Sequence, residues 1–188
     1  RLRELAYLNS GVRILFCDER QKDEALARQE FHYTGGICDY VQYLNQDKNT
    51  LHDTPILLEG GRDDILCRVA IQYTDGYTEN LFSYVNNIPT TDGGTHETGF
   101  KSALTKIMND YCRKAGILKD KDASLAGEDF REGLTAIISL KMRSVQFEGQ
   151  TKARLGNSEA KPAVEYVMNE MLVPILEDLK NAEMVSLI

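Results

Sequence analysis

The segment FEGQTK, residues 147–152, places an amide and a lysine just after a glycine, behind a run that looks like a buried strand. The amide of Gln150 offers a donor and Lys152 a compact positive charge, a pair suited to a terminal phosphate. Arg154 follows, and a helix predicted to begin near Ser158 also favours anions. These residue types are compatible with a phosphate-contacting arm, and equally with an ordinary polar surface turn.

A second segment, GTHETGFKS at residues 94–102, nearly matches the phosphate-binding loop GxxxxGK[ST]. In that motif the lysine directly follows the second glycine, so that backbone amides and amine converge on one phosphate. Here Phe100 stands between Gly99 and Lys101, and it belongs to an apolar helical stripe. We therefore predict that these glycines form the turn into a helix, and that the segment is not a P-loop.

The histidines and acidic pairs do not match a catalytic or metal motif. His32, His52 and His96 lie far apart, and we expect structural or surface roles, with His96 supporting the turn before a helix. The acidic pairs at 63–64 and 128–129 are typical of a solvated loop and a helix start, whereas a metal site needs several converging carboxylates. The sequence thus predicts no metal site.

The four cysteines are also predicted to be structural. They are separated by 21, 29 and 45 residues, which excludes CxxC and zinc spacings; they are Cys17, Cys38, Cys67 and Cys112. Reduced core thiols are expected of a cytoplasmic protein. No signal peptide is visible, and no apolar run approaches the roughly 20 residues of a membrane span.

The charge of the chain is unevenly distributed. The net charge of −7 argues against a general nucleic-acid coat. Residues 101–161 nevertheless hold 12 Lys and Arg against 8 Asp and Glu, whereas the remainder holds 10 against 21. The basic part can touch phosphate, although a solvated face gives the same pattern. Because the chain opens with Arg1 inside a helix-like run, we expect it to be a piece of a longer protein.

Hydrophobic spacing predicts an α+β fold with a mixed, mostly antiparallel sheet and helices on one face. Asp75-Gly76 predicts a hairpin between two strands of an antiparallel meander. Pro174 predicts a kink or break in a terminal helix whose apolar stripe extends to Leu179. Strands are predicted at 11–19, 27–36, 55–60, 65–74, 78–88 and 134–142, and helices at 1–9, 37–46, 95–116 and from about 158.

Six segments in order, from Arg1 to about Leu179, resemble the second domain of the ATPase component of bacterial type IIA topoisomerases. They are RLRELAYLNSG, FHYTGGICDYVQYLN, QYTDGYTENLFSYVNNI, DGGTHETGFKSAL, GEDFREGLTAIISLKM and FEGQTKARLGNSE. The resemblance implies a transducer domain over residues 1–188, with 158–188 as the C-terminal helix leading to the next domain. It also implies the fold of ribosomal protein S5 domain 2, with a left-handed β-α-β crossover in place of the usual right-handed one.

The same resemblance implies the site. Gln150, Thr151 and Lys152 would form a loop that reaches ATP in the neighbouring domain, with Lys152 as the catalytic residue at the γ-phosphate. Candidate DNA contacts lie off the apolar stripe of one helix, at Lys101, Lys106 and Arg113. The implied cofactor is ATP with Mg²⁺, held by the intact protein rather than by this fragment.

The implied partners are a GHKL-type ATPase domain and a metal-binding domain of the same chain, the DNA-cleaving partner protein, DNA and a second copy of the same protein, with no membrane. The DxGxG, glycine-lid, EGDSA and DxD motifs of the flanking domains are missing, so we expect the fragment to be inactive alone, and monomeric. Gyrase is favoured over its sister topoisomerase IV. A non-catalytic dimerisation and DNA-cavity module, or another GHKL machine, are the alternatives.

Overall fold

The computed structural model describes residues 1–23, 27–119 and 121–178. Its helices are α1 (Leu2–Leu8), α2 (Ile37–Leu44), α3 (Thr95–Lys114) and α4 (Ala160–Glu177), with a 3-10 turn at Asp129–Arg131. Its strands are β1 (Arg13–Cys17), β2 (Arg28–His32), β3 (Ile56–Arg62), β4 (Ile65–Tyr73), β5 (Asn80–Val85), β6 (Ile88–Pro89), β7 (Leu134–Lys141), β8 (Phe147–Glu148) and β9 (Arg154–Leu155).

A five-stranded mixed sheet in the order β3-β4-β7-β5-β6 forms the centre of the fold. Strand β7 is buried along its length except at Lys141, which explains its near-continuous apolar sequence. It pairs antiparallel with β4 and parallel with β5. The chain passes from β5 to β7 through α3, so a β-α-β crossover is present, as expected, while its hand stays a prediction.

The predicted hairpin at Asp75-Gly76 is wrong. Strands β4 and β5 are not neighbours, because β7 lies between them and pairs with both. The actual tight hairpins turn at Asp63-Asp64, between β3 and β4, and at Asn86-Asn87, between β5 and β6. All four of these residues have positive φ, from 49° to 65°, as type I′ turns require. A turn signal depends on neighbouring residues only, so it cannot indicate that a strand some 50 residues later will insert between the two strands.

Helices cover both faces of the sheet. The long helices α3 and α4 pack together on one face, around Phe100, Leu104 and Met168. The short helices α1 and α2 cover the other face, where Tyr7 and Val41 meet alternate residues of the central strands. The expectation of helices on one face therefore describes only the long pair.

Helix α4 can be compared with its prediction at two points. It continues through Pro174 without a break and ends one turn later, at Glu177, while the predicted kink stays a prediction. Met171, which belongs to the apolar stripe of this helix in the sequence, is 37% exposed. Leu179, the last residue of the predicted stripe, lies outside the described residues. Among the described residues, no helix combines the length and the apolar character needed to cross a membrane.

The cysteines are free thiols, and only two of them lie in the core. Cys67 and Cys112 are buried, as predicted, whereas Cys38 is half-buried and Cys17 is exposed. Cys17 ends β1, which forms a separate two-stranded sheet with β2, and among the described residues no further strand or layer covers its side chain. The expectation of core thiols is therefore wrong for Cys17.

Candidate functional site

The segment 147–155 forms a short hairpin with an exposed tip. Strands β8 and β9 are paired at only two positions, Phe147 with Leu155 and Glu148 with Arg154. The Arg154 Nε lies 3.1 Å from Glu148 Oε2, and this ion pair closes the ladder on its exposed side. A two-residue ladder is too short to be stable alone, so the hairpin must be held from outside.

The turn before α3 provides that support. The amide of Asp92 donates to Ala153 O (2.8 Å), and that of Leu155 donates to Gly93 O (3.0 Å). Arg154 adds a bond from Nη1 to Asp92 O (2.9 Å). Residues 92–94 therefore act as a third strand beside β9.

Gly94 and Leu155 make the closest contact in this joint. Gly94 has φ 142° and ψ −163°, a conformation essentially restricted to glycine. A β-carbon at Gly94 would lie only 2.4 Å from Leu155 O. Gly99, inside α3, would place a β-carbon 2.6 Å from Lys161 O. The prediction that these glycines form the turn into the helix is therefore confirmed for Gly94 and wrong for Gly99, which lies within α3 and allows its close approach to α4.

Asn157 fixes the far side of the hairpin base. Its side chain, 1% exposed, accepts from the amide of Gln146 (2.6 Å) and donates to Ser144 O (3.0 Å) and to Glu159 Oε1 (2.7 Å). Sequence reasoning missed this residue, although an asparagine just before a predicted helix is a common capping signal.

The tip of the hairpin carries the predicted phosphate contacts. Gly149, Gln150, Thr151 and Lys152 are all exposed, and Lys152 N reaches Gly149 O only at 3.4 Å. Lys152 has φ 56°, so the chain turns sharply at this lysine. In the described part of the chain, no ion pair or side-chain hydrogen bond reaches its ammonium.

These residues fit a terminal phosphate better than a metal ion. The nearest acid along the hairpin, Glu148, is engaged with Arg154, so it leaves the Lys152 charge uncompensated. The hydroxyl of Thr151 and the amide of Gln150 add donors suited to phosphate oxygens. Within residues 1–23, 27–119 and 121–178, no group of three His, Cys, Asp or Glu could hold a metal ion.

His96 lies beneath the turn that supports the hairpin. It is fully buried, and a 3.0 Å hydrogen bond joins its Nε2 to Thr90 Oγ1. Its Nδ1 has no partner among the described residues. Burial lowers the pKa of His96 to about 4, so the ring is neutral at pH 7. It contributes packing and one bond to the turn, as the sequence predicted.

The three candidate DNA contacts on α3 differ in their surroundings. Lys101 Nζ lies 3.0 Å from Glu79 Oε1, and Arg131 Nε lies 3.0 Å from Glu79 Oε2. Burial opposes the ionisation of Glu79, but the bonds from Arg131 and Lys101 outweigh it, and the pKa of Glu79 is lowered. Lys106 is exposed and has no ion pair in the described ranges. Lys101, Lys106 and Arg131 line one open depression of about 530 Å³.

Arg113 is occupied by its own loop. Its guanidinium donates to Lys119 O (2.9 Å), Asp122 O (3.1 Å) and Ser124 Oγ (3.0 Å). Lying off the apolar stripe, it resembled a free cation in sequence. The structure groups Lys101 and Lys106 in one depression, whereas Arg113 does not line it.

Comparison with known proteins identifies the family. The DNA gyrase B family model matches residues 36–187. DNA gyrase B of Halalkalibacterium halodurans is 52% identical over 170 residues, which are 90% of this chain and 26% of that protein. DNA gyrase B of Streptococcus pneumoniae is 55% identical over 159 residues, 85% of this chain and 24% of that protein. The chain therefore spans about a quarter of the length of these relatives.

Solved structures agree with the sequence comparisons. The 43K ATPase domain of Thermus thermophilus gyrase B, solved with an aminocoumarin, matches 99% of this chain and 49% of its own, with a TM-score of 0.86 and 36% identity. The ATP-binding domain of Francisella tularensis topoisomerase IV matches 99% of this chain and 49% of its own, with a TM-score of 0.78. That likeness, at 24% identity, concerns the fold alone. On the family match and these relatives, the chain belongs to the DNA gyrase B family.

Proposed function

We propose that this chain is the transducer domain of the ATPase component of a type IIA DNA topoisomerase, DNA gyrase. In this proposal, the loop of Gln150, Thr151 and Lys152 reaches the γ-phosphate of ATP bound in a neighbouring GHKL-type ATPase domain. One observation carries it: an exposed, uncompensated lysine stands at the tip of a hairpin whose base is firmly held.

Each residue of the tip has a distinct task in this proposal. Lys152 places its ammonium where negative charge develops on the terminal phosphate, which is the most effective place for a fixed charge. Gln150 donates its amide to a phosphate oxygen, and the hydroxyl of Thr151 supplies a further donor. Mg²⁺ would be held together with ATP by the neighbouring ATPase domain.

The loop also distinguishes ATP from ADP, because only ATP presents the terminal phosphate. Losing that phosphate releases Lys152, and a contact that exists in one nucleotide state only can bias the angle between two domains. The transducer then converts hydrolysis into the domain movement that drives DNA strand passage and negative supercoiling.

The remaining partners follow from the family. We propose that this domain works between the ATPase domain and the metal-binding domain of its own chain, with gyrase A, a second copy of gyrase B and DNA, in the cytoplasm. The family match begins at residue 36. The assignment of residues 1–35 to the same domain is supported by the stacking of Tyr7 on Tyr40, 4.8 Å between ring centroids. Lys101 and Lys106 are the proposed DNA phosphate contacts.

The alternatives lead to different results. A topoisomerase IV transducer would carry the same loop, but the two relatives compared above, at 52% and 55% identity, are gyrase B proteins. A non-catalytic dimerisation and DNA-cavity module would bind DNA with a salt-dependent affinity that nucleotide does not change. In that module the hairpin tip would be only a turn.

The test is steady-state ATP hydrolysis by the intact protein with Lys152→Ala. We expect turnover to fall about 10²- to 10³-fold, as when one preorganised donor is removed, with ADP affinity unchanged. Lys141→Ala is the matched control, because Lys141 is an exposed lysine at the end of β7 without an ion pair in the described ranges. Unchanged turnover in Lys152→Ala would refute the proposal.

A further inference from the structure

We infer that Arg154 is a positioning residue for Lys152. It holds the hairpin ladder and the turn before α3 in one fixed arrangement, and through them it sets where the tip points. The inference deepens the proposed function and rests on it, because it concerns the same phosphate contact.

The first step concerns the connectivity of Arg154. Its Nε pairs with Glu148 on the opposite strand (3.1 Å), while its Nη1 donates to the carbonyl of Asp92 (2.9 Å). One planar guanidinium therefore bridges three chain segments: β8, β9 and the turn before α3. A lysine could not make both bonds in this geometry, because it carries one nitrogen and not a rigid fork.

The second step is the position of this bridge between a rigid element and a free one. Below it, Leu155 is fully buried and bonded to Gly93. Beyond it, Ala153 O accepts the last main-chain bond from the turn, donated by the amide of Asp92 (2.8 Å). In the exposed tip that follows, the hydrogen bond found among the described residues is the 3.4 Å contact from Lys152 N to Gly149 O. Arg154 is the last side chain that fixes the hairpin to the fold before Lys152, two residues away.

The third step concerns the sensitivity of catalysis to position. A catalytic group displaced by about 1 Å can lose as much as 10²-fold in rate, and such groups depend on neighbours that lock them in place. Arg154 itself is half exposed and surface ion pairs contribute little to stability. Its removal should therefore disturb the direction of the tip while leaving the fold intact.

The experiment is a double-mutant cycle in the intact protein, with steady-state ATP hydrolysis as the assay and the unfolding midpoint as a check on folding. We expect Arg154→Ala to lower kcat about 10- to 100-fold with little change in KM. We expect the kcat of Arg154→Lys to lie between those of Arg154→Ala and the unmodified protein. Glu148→Gln should lower kcat less than Arg154→Ala does, because it leaves the bond from Arg154 to Asp92 in place.

The double variant tests whether Arg154 acts through Lys152. If it does, Arg154→Ala combined with Lys152→Ala is no slower than Lys152→Ala alone. Arg143→Ala, which removes an exposed arginine from the segment before β8, serves as the control for charge and should be unaffected.

Two results would overturn the inference while leaving the proposed function in place: normal kcat in Arg154→Ala, or losses that multiply in the double variant. Normal turnover in Lys152→Ala would instead refute the proposed function, and this inference with it. If Arg154→Ala does not fold, Glu148→Gln and Arg154→Lys carry the test, and normal kcat in both would overturn the inference.

Discussion

Replacing Gly94 with alanine should disrupt the contact between the β8–β9 hairpin and the turn before α3. The new β-carbon would lie 2.4 Å from Leu155 O and 2.7 Å from Leu155 N. Both are backbone atoms of a fully buried residue, so they cannot move aside as a flexible side chain could. Alanine is strained in this backbone conformation, and the overlap must in addition separate β9 from the turn before α3.

The cost can be worked out from these contacts. The conformation of Gly94 costs a non-glycine residue about 1–3 kcal/mol. Separating the segments breaks the bonds from Leu155 to Gly93 and from Asp92 to Ala153, at about 1 kcal/mol each. We therefore expect Gly94→Ala to lower the free energy of unfolding by about 3–5 kcal/mol, before any loss of Leu155 packing. Domains of this kind have only about 5–15 kcal/mol in total.

Urea denaturation of this chain measures the effect. With an m-value of about 2 kcal/mol per molar urea, the midpoint should fall by roughly 2 M. Gly116→Ala is the matched control: Gly116 also has a positive φ, of 77°, but no atom lies within 4 Å of the place where its β-carbon would stand. It should cost only about 1–2 kcal/mol. Equal losses in the two variants would refute the reasoning, because backbone strain alone would then account for both.

Three further predictions concern other parts of the chain. Burial lowers the pKa of His96 to about 4 from an ordinary value near 6.5, so the unfolded chain binds the extra proton first. The contribution of His96 to stability should be complete above about pH 6.5 and be lost as the pH drops towards 4. In urea titrations, a His96→Gln variant should therefore lose less stability between about pH 7 and 5 than the unmodified protein. Lys106→Ala should reduce the slope of log affinity for duplex DNA against log salt by about 0.9, and Lys101→Ala by less, because Glu79 already neutralises Lys101. Equal slopes in the two variants and the unmodified protein would contradict DNA binding at this depression. A thiol reagent at about pH 8 should modify exposed Cys17 in the native chain, but buried Cys67 only after unfolding, because burial raises the pKa of Cys67 to about 12. Mass spectrometry that shows modification of Cys67 in the native chain would contradict this prediction.

The elements predicted well from sequence are those defined by their own residues. The apolar run of β7 and the stripe around Phe100 in α3 each carry enough local information to specify a buried element. The pairing of strands does not, because it depends on which distant segment fills a gap. The hairpin prediction at Asp75-Gly76 failed for that reason. The packing of α1 and α2 on the second face of the sheet was not predicted, because it also depends on distant segments.

The candidate site divides in a similar way. The tip at Gln150 to Lys152 is visible in sequence as a glycine followed by polar residues. The joint that holds it is not, because Asp92 and Arg154 lie 62 positions apart and meet only in the folded chain. Arg113 shows the converse: it has the sequence character of a free cation, yet its guanidinium is bonded to the loop that follows α3.

The central claim, that Lys152 contacts the terminal phosphate, is tested most directly by affinities in the intact protein. The ratio of affinity for a non-hydrolysable ATP analogue to that for ADP should be compared in the unmodified protein and in Lys152→Ala. Our account predicts that the ratio falls at least about tenfold, the equivalent of about 1.4 kcal/mol, entirely through weaker binding of the ATP analogue. An unchanged ratio, or an equal loss for both nucleotides, would contradict it.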